Sequence, residues 1–223
     1  MTTKLFLQAI LKFLLGVILV SLLIFLPAGT FAYPSGWLLM GILFVPMLIA
    51  GFVMLFKSPD FLRKRLDAKE KQEAQKGVLA LSGIMFITGF VIAGLDFRFD
   101  WSNIPSWLII TASALFLIAY ALYAEVMREN AYLSRTVKVE EGQTVVDTGL
   151  YGIVRHPMYA VTILLFLMLP FILGSWYALI VFAFYPAIII VRLKDEEDLL
   201  TRELPGYGAY KQKVKYRIIP FVW

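Results

Sequence analysis

The feature that most constrains this chain is a series of apolar blocks, each about the length of a membrane crossing. Residues 5–26, 37–56, 77–95 and 107–127 approach the ~20 residues a helix needs to cross the hydrocarbon core. Lys12 is the only charge in the first block, and Glu125 lies at the end of the fourth. After a polar stretch, residues 158–191 form a block too long for one untilted crossing. Gly174-Ser175 near its middle is a turn signal, so the block reads as a helical hairpin with two short arms. Each arm is near the lower length limit, which leaves both a full crossing and a re-entrant pair open. The expected fold is all-α, a polytopic membrane helix bundle of six helices in a single domain over residues 1–223. A four-helix part spans 1–127, and a C-terminal part, 128–223, contains the hairpin.

Composition excludes the soluble alternative. Hydrophobic residues make up 60% of the 223 positions and charged residues 17%, against about 45–50% and 25% in soluble domains. The absence of cysteine removes disulfides, a thiolate nucleophile and a cysteine zinc site. With one histidine, a histidine-rich metal or haem site is implausible, and no metal is expected. Inside the blocks almost no acids or bases are available for proton or ion relays, which argues against a transporter.

The placement of charge sets an orientation. Of the 21 Lys and Arg residues, 20 fall before the first block or near its start, in 57–76, in 128–157, or from Arg192 onward. Arg98, between Asp96 and Asp100, is the exception. The positive-inside rule then places both termini in the cytoplasm. Trp37, Trp101, Trp107 and Trp176 fall at the opposite helix ends, as an interfacial aromatic belt would. A weaker reading takes the first block as a secretory signal cleaved near Thr30-Phe31-Ala32. Arg63-Lys64-Arg65 reads as a topology determinant bound to anionic lipid. The 69–76 stretch reads as a solvated helix end, and Gly83, Gly89 and Gly94 as sites of close helix packing.

The remaining polar residues gather at the two ends of the hairpin. One is Asp147-Thr148-Gly149-Leu150-Tyr151-Gly152-Ile153-Val154-Arg155-His156-Pro157-Met158-Tyr159. The other runs Arg192-Leu193-Lys194-Asp195-Glu196-Glu197-Asp198 and on through Tyr207, Tyr210, Arg217 and Pro220. A hairpin returns its ends to one side of the membrane, so Arg155-His156 and Glu196-Glu197 should face each other across about 8–10 Å. This yields a cytoplasm-facing pocket with a cation and a histidine on one wall and carboxylates on the other. Taken singly, these residues have plainer readings. Arg155 snorkels, His156 caps or packs at a helix start, Asp195–Asp198 is a solvated helix start, and Tyr207, Tyr210 and Tyr216 are interfacial anchors.

In order along the chain, Gly149-x-Tyr151, Arg155-His156-Pro157-x-Tyr159, an apolar hairpin, Glu196-Glu197 and a late Tyr-x-x-Tyr…Arg…Pro resemble the isoprenylcysteine carboxyl methyltransferase family. The related phospholipid N-methyltransferases share its C-terminal half. The resemblance covers roughly residues 147–223, while the first four helices match only in number and hydrophobicity. One departure is Val161, where the family often has glycine. The resemblance implies a methyltransferase that uses S-adenosylmethionine. It also implies catalytic roles for Arg155 and Glu196, with cofactor contacts from Tyr151, His156, Pro157, Tyr159 and Glu197. Substrate contacts would come from Arg217 and Tyr210. The acceptor is left open between a prenylcysteine-like carboxylate, a phospholipid amine and another lipophilic molecule. A non-catalytic lipid-binding or assembly protein is the rival from another class. Expected partners are the lipophilic acceptor and membrane lipids, with no nucleic acid; a homodimer through the glycine-containing third helix has little weight.

Overall fold

The computed structural model describes residues 3–66, 73–133 and 139–223. These residues form helices and one 3-10 turn, with no strand among them. Helix α1 spans Thr3–Ala28, α2 Pro34–Lys57, α3 Pro59–Leu66, α4 Glu73–Phe99 and α5 Ser106–Glu129. The hairpin comprises α6 (Pro157–Leu173), α7 (Trp176–Phe182) and α8 (Tyr185–Glu203), and α9 covers Tyr207–Lys213. Five spans are long and apolar enough to cross a membrane: α1, α2, α4, α5 and the combined Trp176–Glu203 stretch. Helix α6 is a shorter apolar helix of 17 residues. Their outward faces are apolar, with Leu7, Leu11, Leu15, Ile18 and Leu22 all more than half exposed along α1 alone. Such a surface is stable against acyl chains and not against water, so this is an integral membrane protein.

The hairpin turns where the sequence signals it. Gly174 takes a left-handed conformation (φ 77°), which a residue with a Cβ adopts only at a cost. Ser175 then caps α7, its Oγ accepting from the Ala178 N–H at 3.0 Å. The second arm departs from expectation. It is interrupted after Phe182 and restarts as α8 with Pro186 in its first turn, where a missing N–H costs no helical bond. It also does not stop at residue 191 but continues as helix to Glu203. The stretch 195–198 is therefore the later part of a membrane helix and not a solvated helix start. Its charges divide by face: Lys194 and Asp198 are exposed, whereas Arg192 and Glu197 are buried.

Close backbone approaches hold the bundle together. At Gly94 an added Cβ would sit 2.5 Å from the Ile24 carbonyl oxygen, so α1 crosses α4 in direct contact there. At Gly89 it would meet the Phe182 ring, whereas Gly83 faces open space. Only two of the three glycines thus serve close packing. At the tryptophan-bearing end, the buried Asp96 accepts from Ser102 Oγ at 2.7 Å and from Ser175 Oγ, and Tyr33 donates to the Leu173 carbonyl. These bonds fasten the hairpin turn to α2 and α4.

The basic cluster at the other end is not simply a lipid-facing patch. Lys64 pairs with Glu140, and Arg65 donates to the Tyr123 hydroxyl and lies 5.6 Å from its ring centre. Exposed Arg63 lies 3.6 Å from Asp60. Leu62 is buried with Leu5 and Leu55, so α3 lies across the ends of α1 and α2. Lys69 and Lys71 are outside the described residues.

Candidate active site

The two ends of the hairpin meet as their topology requires. Arg155 and His156 immediately precede α6, with Pro157 at its first position, and Glu197 faces them from α8. Arg155 Nε donates to Glu197 Oε1 at 2.6 Å, and His156 Nε2 lies 3.2 Å from the same oxygen. Arg217, arriving from the tail, donates through Nε to Oε2 at 2.9 Å. Glu197 is 2% exposed, so this carboxylate is desolvated and its compensation comes from those three donors. An ionised carboxylate only accepts, so the proton shared with His156 sits on Nε2.

The tail completes the cluster through its backbone. Arg155 Nη1 donates to the Val214 and Lys215 carbonyls at 2.8 and 2.9 Å. The backbone N–H groups of Arg155 and His156 donate to the Tyr216 and Arg217 carbonyls at 2.9 and 2.8 Å. Four hydrogen bonds from two consecutive residues are thus accepted by one short tail segment, and Arg217 also lies 5.0 Å over the Trp223 ring.

A second, partly buried chain runs beside the first. Tyr159 donates its hydroxyl to Glu196 and accepts from Arg192 Nε at 3.1 Å. Arg192 Nη1 donates to Gln75 Oε1 at 3.0 Å, and Gln75 Nε2 donates to Asp195 Oδ2, also at 3.0 Å. The Tyr159 ring stacks on His156 with centres 5.7 Å apart, which joins the two chains.

Around them is a cavity with about 830 Å3 of unfilled space, its open mouth included. Arg155, His156, Tyr159, Arg192, Glu196 and Tyr207 bring the charged and aromatic groups to it, while Leu133, Val145, Met158 and Leu200 supply apolar wall. Tyr210 and Tyr151 also line it, with the Tyr210 hydroxyl donating to the Tyr151 carbonyl at 2.7 Å and Asn130 donating to the Tyr151 hydroxyl at 3.0 Å. Burial pushes the Tyr207 phenol well up, and the negative charges of Glu197 and Glu196 push it the same way. Tyr151 and Tyr210 are raised chiefly by burial. All three therefore remain protonated at neutral pH.

The sequence-derived residues divide by position. Arg155, Glu196, Tyr151, His156, Tyr159 and Tyr210 line the cavity. Glu197 and Arg217 stand behind it as the ion cluster, and Pro157 sets the first turn of α6. Val161 is buried in the bundle core and not at the cavity, so its side chain replaces no cavity wall. Gln75 is the residue that motif reading missed. It lies in a stretch rich in Lys, Glu and Gln, and its only signal is that it sits one turn before buried Val78 on the same side of α4.

Gly149, ahead of the motif, has a steric reason. Its φ is +53°, and an added Cβ would collide with the Glu129 carboxylate. That carboxylate accepts from the Leu150 N–H at 2.9 Å. Gly149→Ala is expected to cost about 2–4 kcal/mol, from left-handed strain and overpacking together. Thermal unfolding in detergent checks this, and a midpoint equal to wild type would refute it.

Comparison with known proteins places these observations. An uncharacterized protein of Bacillus subtilis (strain 168), YpbQ, is 25% identical over 165 residues, which is 74% of this chain and 95% of that protein. Residues 107–202, from the start of α5 almost to the end of α8, match a family model. They contain Arg155, His156, Tyr159, Glu196 and Glu197 but neither Gln75 nor the tail. The family matched is the isoprenylcysteine carboxyl methyltransferase (ICMT) family, the same one that the motifs around the hairpin resemble.

Proposed function

We propose that the protein transfers the methyl group of S-adenosylmethionine to a lipophilic or amphipathic acceptor at the membrane face that carries the cavity. That face is cytoplasmic by the distribution of basic residues. The family match supports membrane methyl transfer as the activity class. The observation that carries the finer reading is the cavity itself, which presents charges of both signs among tyrosines at one end of an apolar bundle.

The residues present fit the cofactor. Its carboxylate suits the planar forks of Arg155 or Arg192, its ammonium suits Glu196 through a charge-assisted bond, and its sulfonium suits tyrosine faces. When bound, S-adenosylmethionine supplies an activated methyl group, which leaves the protein to position the reactants and exclude water. Arg155 is held rigid by Glu197 and two carbonyls, so Glu197 works through Arg155 and His156. A carboxylate acceptor needs no base, whereas an amine must lose a proton, for which His156 or Glu196 is placed.

The test is calorimetric binding of S-adenosylhomocysteine to the purified protein in detergent and lipid. Wild type should bind in the micromolar range, and His156→Ala should weaken binding about tenfold, equivalent to ~1.4 kcal/mol. Absence of binding by folded wild type would sink the reading. Methyl transfer from labelled S-adenosylmethionine into membrane lipid extract then separates the acceptors, because an ester product is lost in mild base and an N-methyl product is not.

A further inference from the structure

Beyond the cavity, the tail ends in a tight turn that displays apolar side chains. The Ile218 and Ile219 N–H groups both donate to the Trp223 carbonyl at 3.0 Å. Phe221 sits in the left-handed region, with φ 65°, where a bulky side chain carries strain. Ile219 is 52% exposed, Phe221 86% and Val222 74%; no other large apolar side chain among the described residues is as exposed as Phe221. A strained turn that presents the Phe221 ring outward suits a partner that covers it.

The level of this turn in the bundle identifies the partner. Tyr216 and Arg217 are bonded alongside Arg155 and His156, immediately before the first residue of α6. Helix α6 has 17 residues, a rise of about 25 Å at ~1.5 Å per residue. That is shorter than the ~30 Å hydrocarbon layer. The bilayer thins around a short apolar helix, so the polar Arg155-His156 end of α6 lies at the hydrocarbon boundary and the bonded tail lies at the same depth. Trp223 packs against the main core cluster, which keeps the turn against the bundle. Lys215 is exposed on the same segment, and Lys211 and Lys213 close the last turn of α9. Aromatic and apolar side chains flanked by lysines match the headgroup boundary of an anionic leaflet.

We infer that the Ile219–Trp223 turn docks into the anionic headgroup boundary of the leaflet on the cavity side, and that docking completes the pocket. The second half rests on the S-adenosylmethionine reading; the first does not. The coupling is mechanical, since the docked segment is continuous with the carbonyls that hold Arg155 and with Arg217, which holds Glu197.

The chain contains no cysteine, so Val222→Cys gives a unique site for an environment-sensitive fluorophore. The labelled full-length protein would be reconstituted in nanodiscs of phosphatidylcholine with and without phosphatidylglycerol. Docking predicts blue-shifted emission that is quenched by shallow nitroxide lipid and shielded from aqueous iodide, more strongly with phosphatidylglycerol. Water-like, iodide-sensitive emission overturns it. Blue-shifted emission insensitive to nitroxide lipid places the turn against protein, including a second copy, and also overturns it. Emission independent of phosphatidylglycerol removes the anionic preference and overturns that part.

The second arm uses a Phe221→Ser, Val222→Ser double variant in the same nanodiscs. Its affinity for S-adenosylhomocysteine should fall several-fold, with thermal unfolding of the bundle unchanged. Equal affinity overturns the coupling. If wild type itself binds no S-adenosylhomocysteine, the functional reading fails, while the fluorophore still decides docking.

Discussion

Glu197→Gln is expected to lower stability by about 3–5 kcal/mol, the range for removing one partner from a buried ion pair. Three donors converge on this carboxylate, from Arg155, His156 and Arg217. Glutamine offers one oxygen and turns an NH2 group toward Arg155 or Arg217, and a guanidinium cannot accept it. Arg155, 7% exposed, would keep its two carbonyl acceptors but lose its counter-charge. Those carbonyls belong to the tail, so the variant should also loosen residues 207–217. The checks are the thermal midpoint in detergent and trypsin cleavage at Lys211, Lys213 and Lys215. A wild-type midpoint with an unchanged cleavage pattern would show that the tail is held by other means. Binding of S-adenosylhomocysteine should fall with the midpoint, because Arg155 and His156 line the cavity.

Gln75→Leu should produce the second large effect, from the half of the chain outside the family match. Leucine fills similar space but removes an acceptor from Arg192 and a donor from Asp195. Each buried polar group that loses a partner costs about 1–3 kcal/mol, so the variant should lose about 2–4 kcal/mol in all. Gln75→Glu separates the two bonds, since it keeps an acceptor for Arg192 and places a carboxylate against Asp195. Its loss should lie between wild type and leucine. Equal losses for Glu and Leu would mean that the Asp195 bond dominates. No loss for Leu would show that Arg192 is held well enough without α4. Because Arg192 bonds Tyr159 at the cavity wall, ligand affinity should rank the three proteins in the same order as stability.

Hydropathy made the crossings legible because desolvating a long polar segment in lipid is prohibitive. Residues 5–26, 37–56, 77–95 and 107–127 all lie within α1, α2, α4 and α5, with ends differing by a few residues. The turn at Gly174-Ser175 was legible because few residues adopt a left-handed helix cap. Convergence of Arg155-His156 with Glu196-Glu197 followed from hairpin connectivity alone. The extension of α8 to Glu203 was less visible, since hydropathy adds up charges without recording their partners. Arg192 and Glu197 look like solvated residues until Gln75 and Arg155 are placed beside them. The same blindness hid Lys64 and Arg65, whose partners Glu140 and Tyr123 are distant in sequence. The split roles of the paired glutamates, with Glu196 in the cavity wall and Glu197 behind it, depend on helix phase at single-residue resolution.

The bonds from Arg155 to the Val214 and Lys215 carbonyls, and from Arg217 to Glu197, also impose a timetable on biogenesis. The ribosome makes Arg155 before α6, Glu197 within α8, and the Val214 and Lys215 carbonyls after both. The tail is therefore the last part of the cluster to be made. A chain clipped before residue 214 would keep its helices through α8 but lose the two carbonyls that hold Arg155 and the Arg217 donor to Glu197, and quality control that monitors insertion alone would not detect the defect.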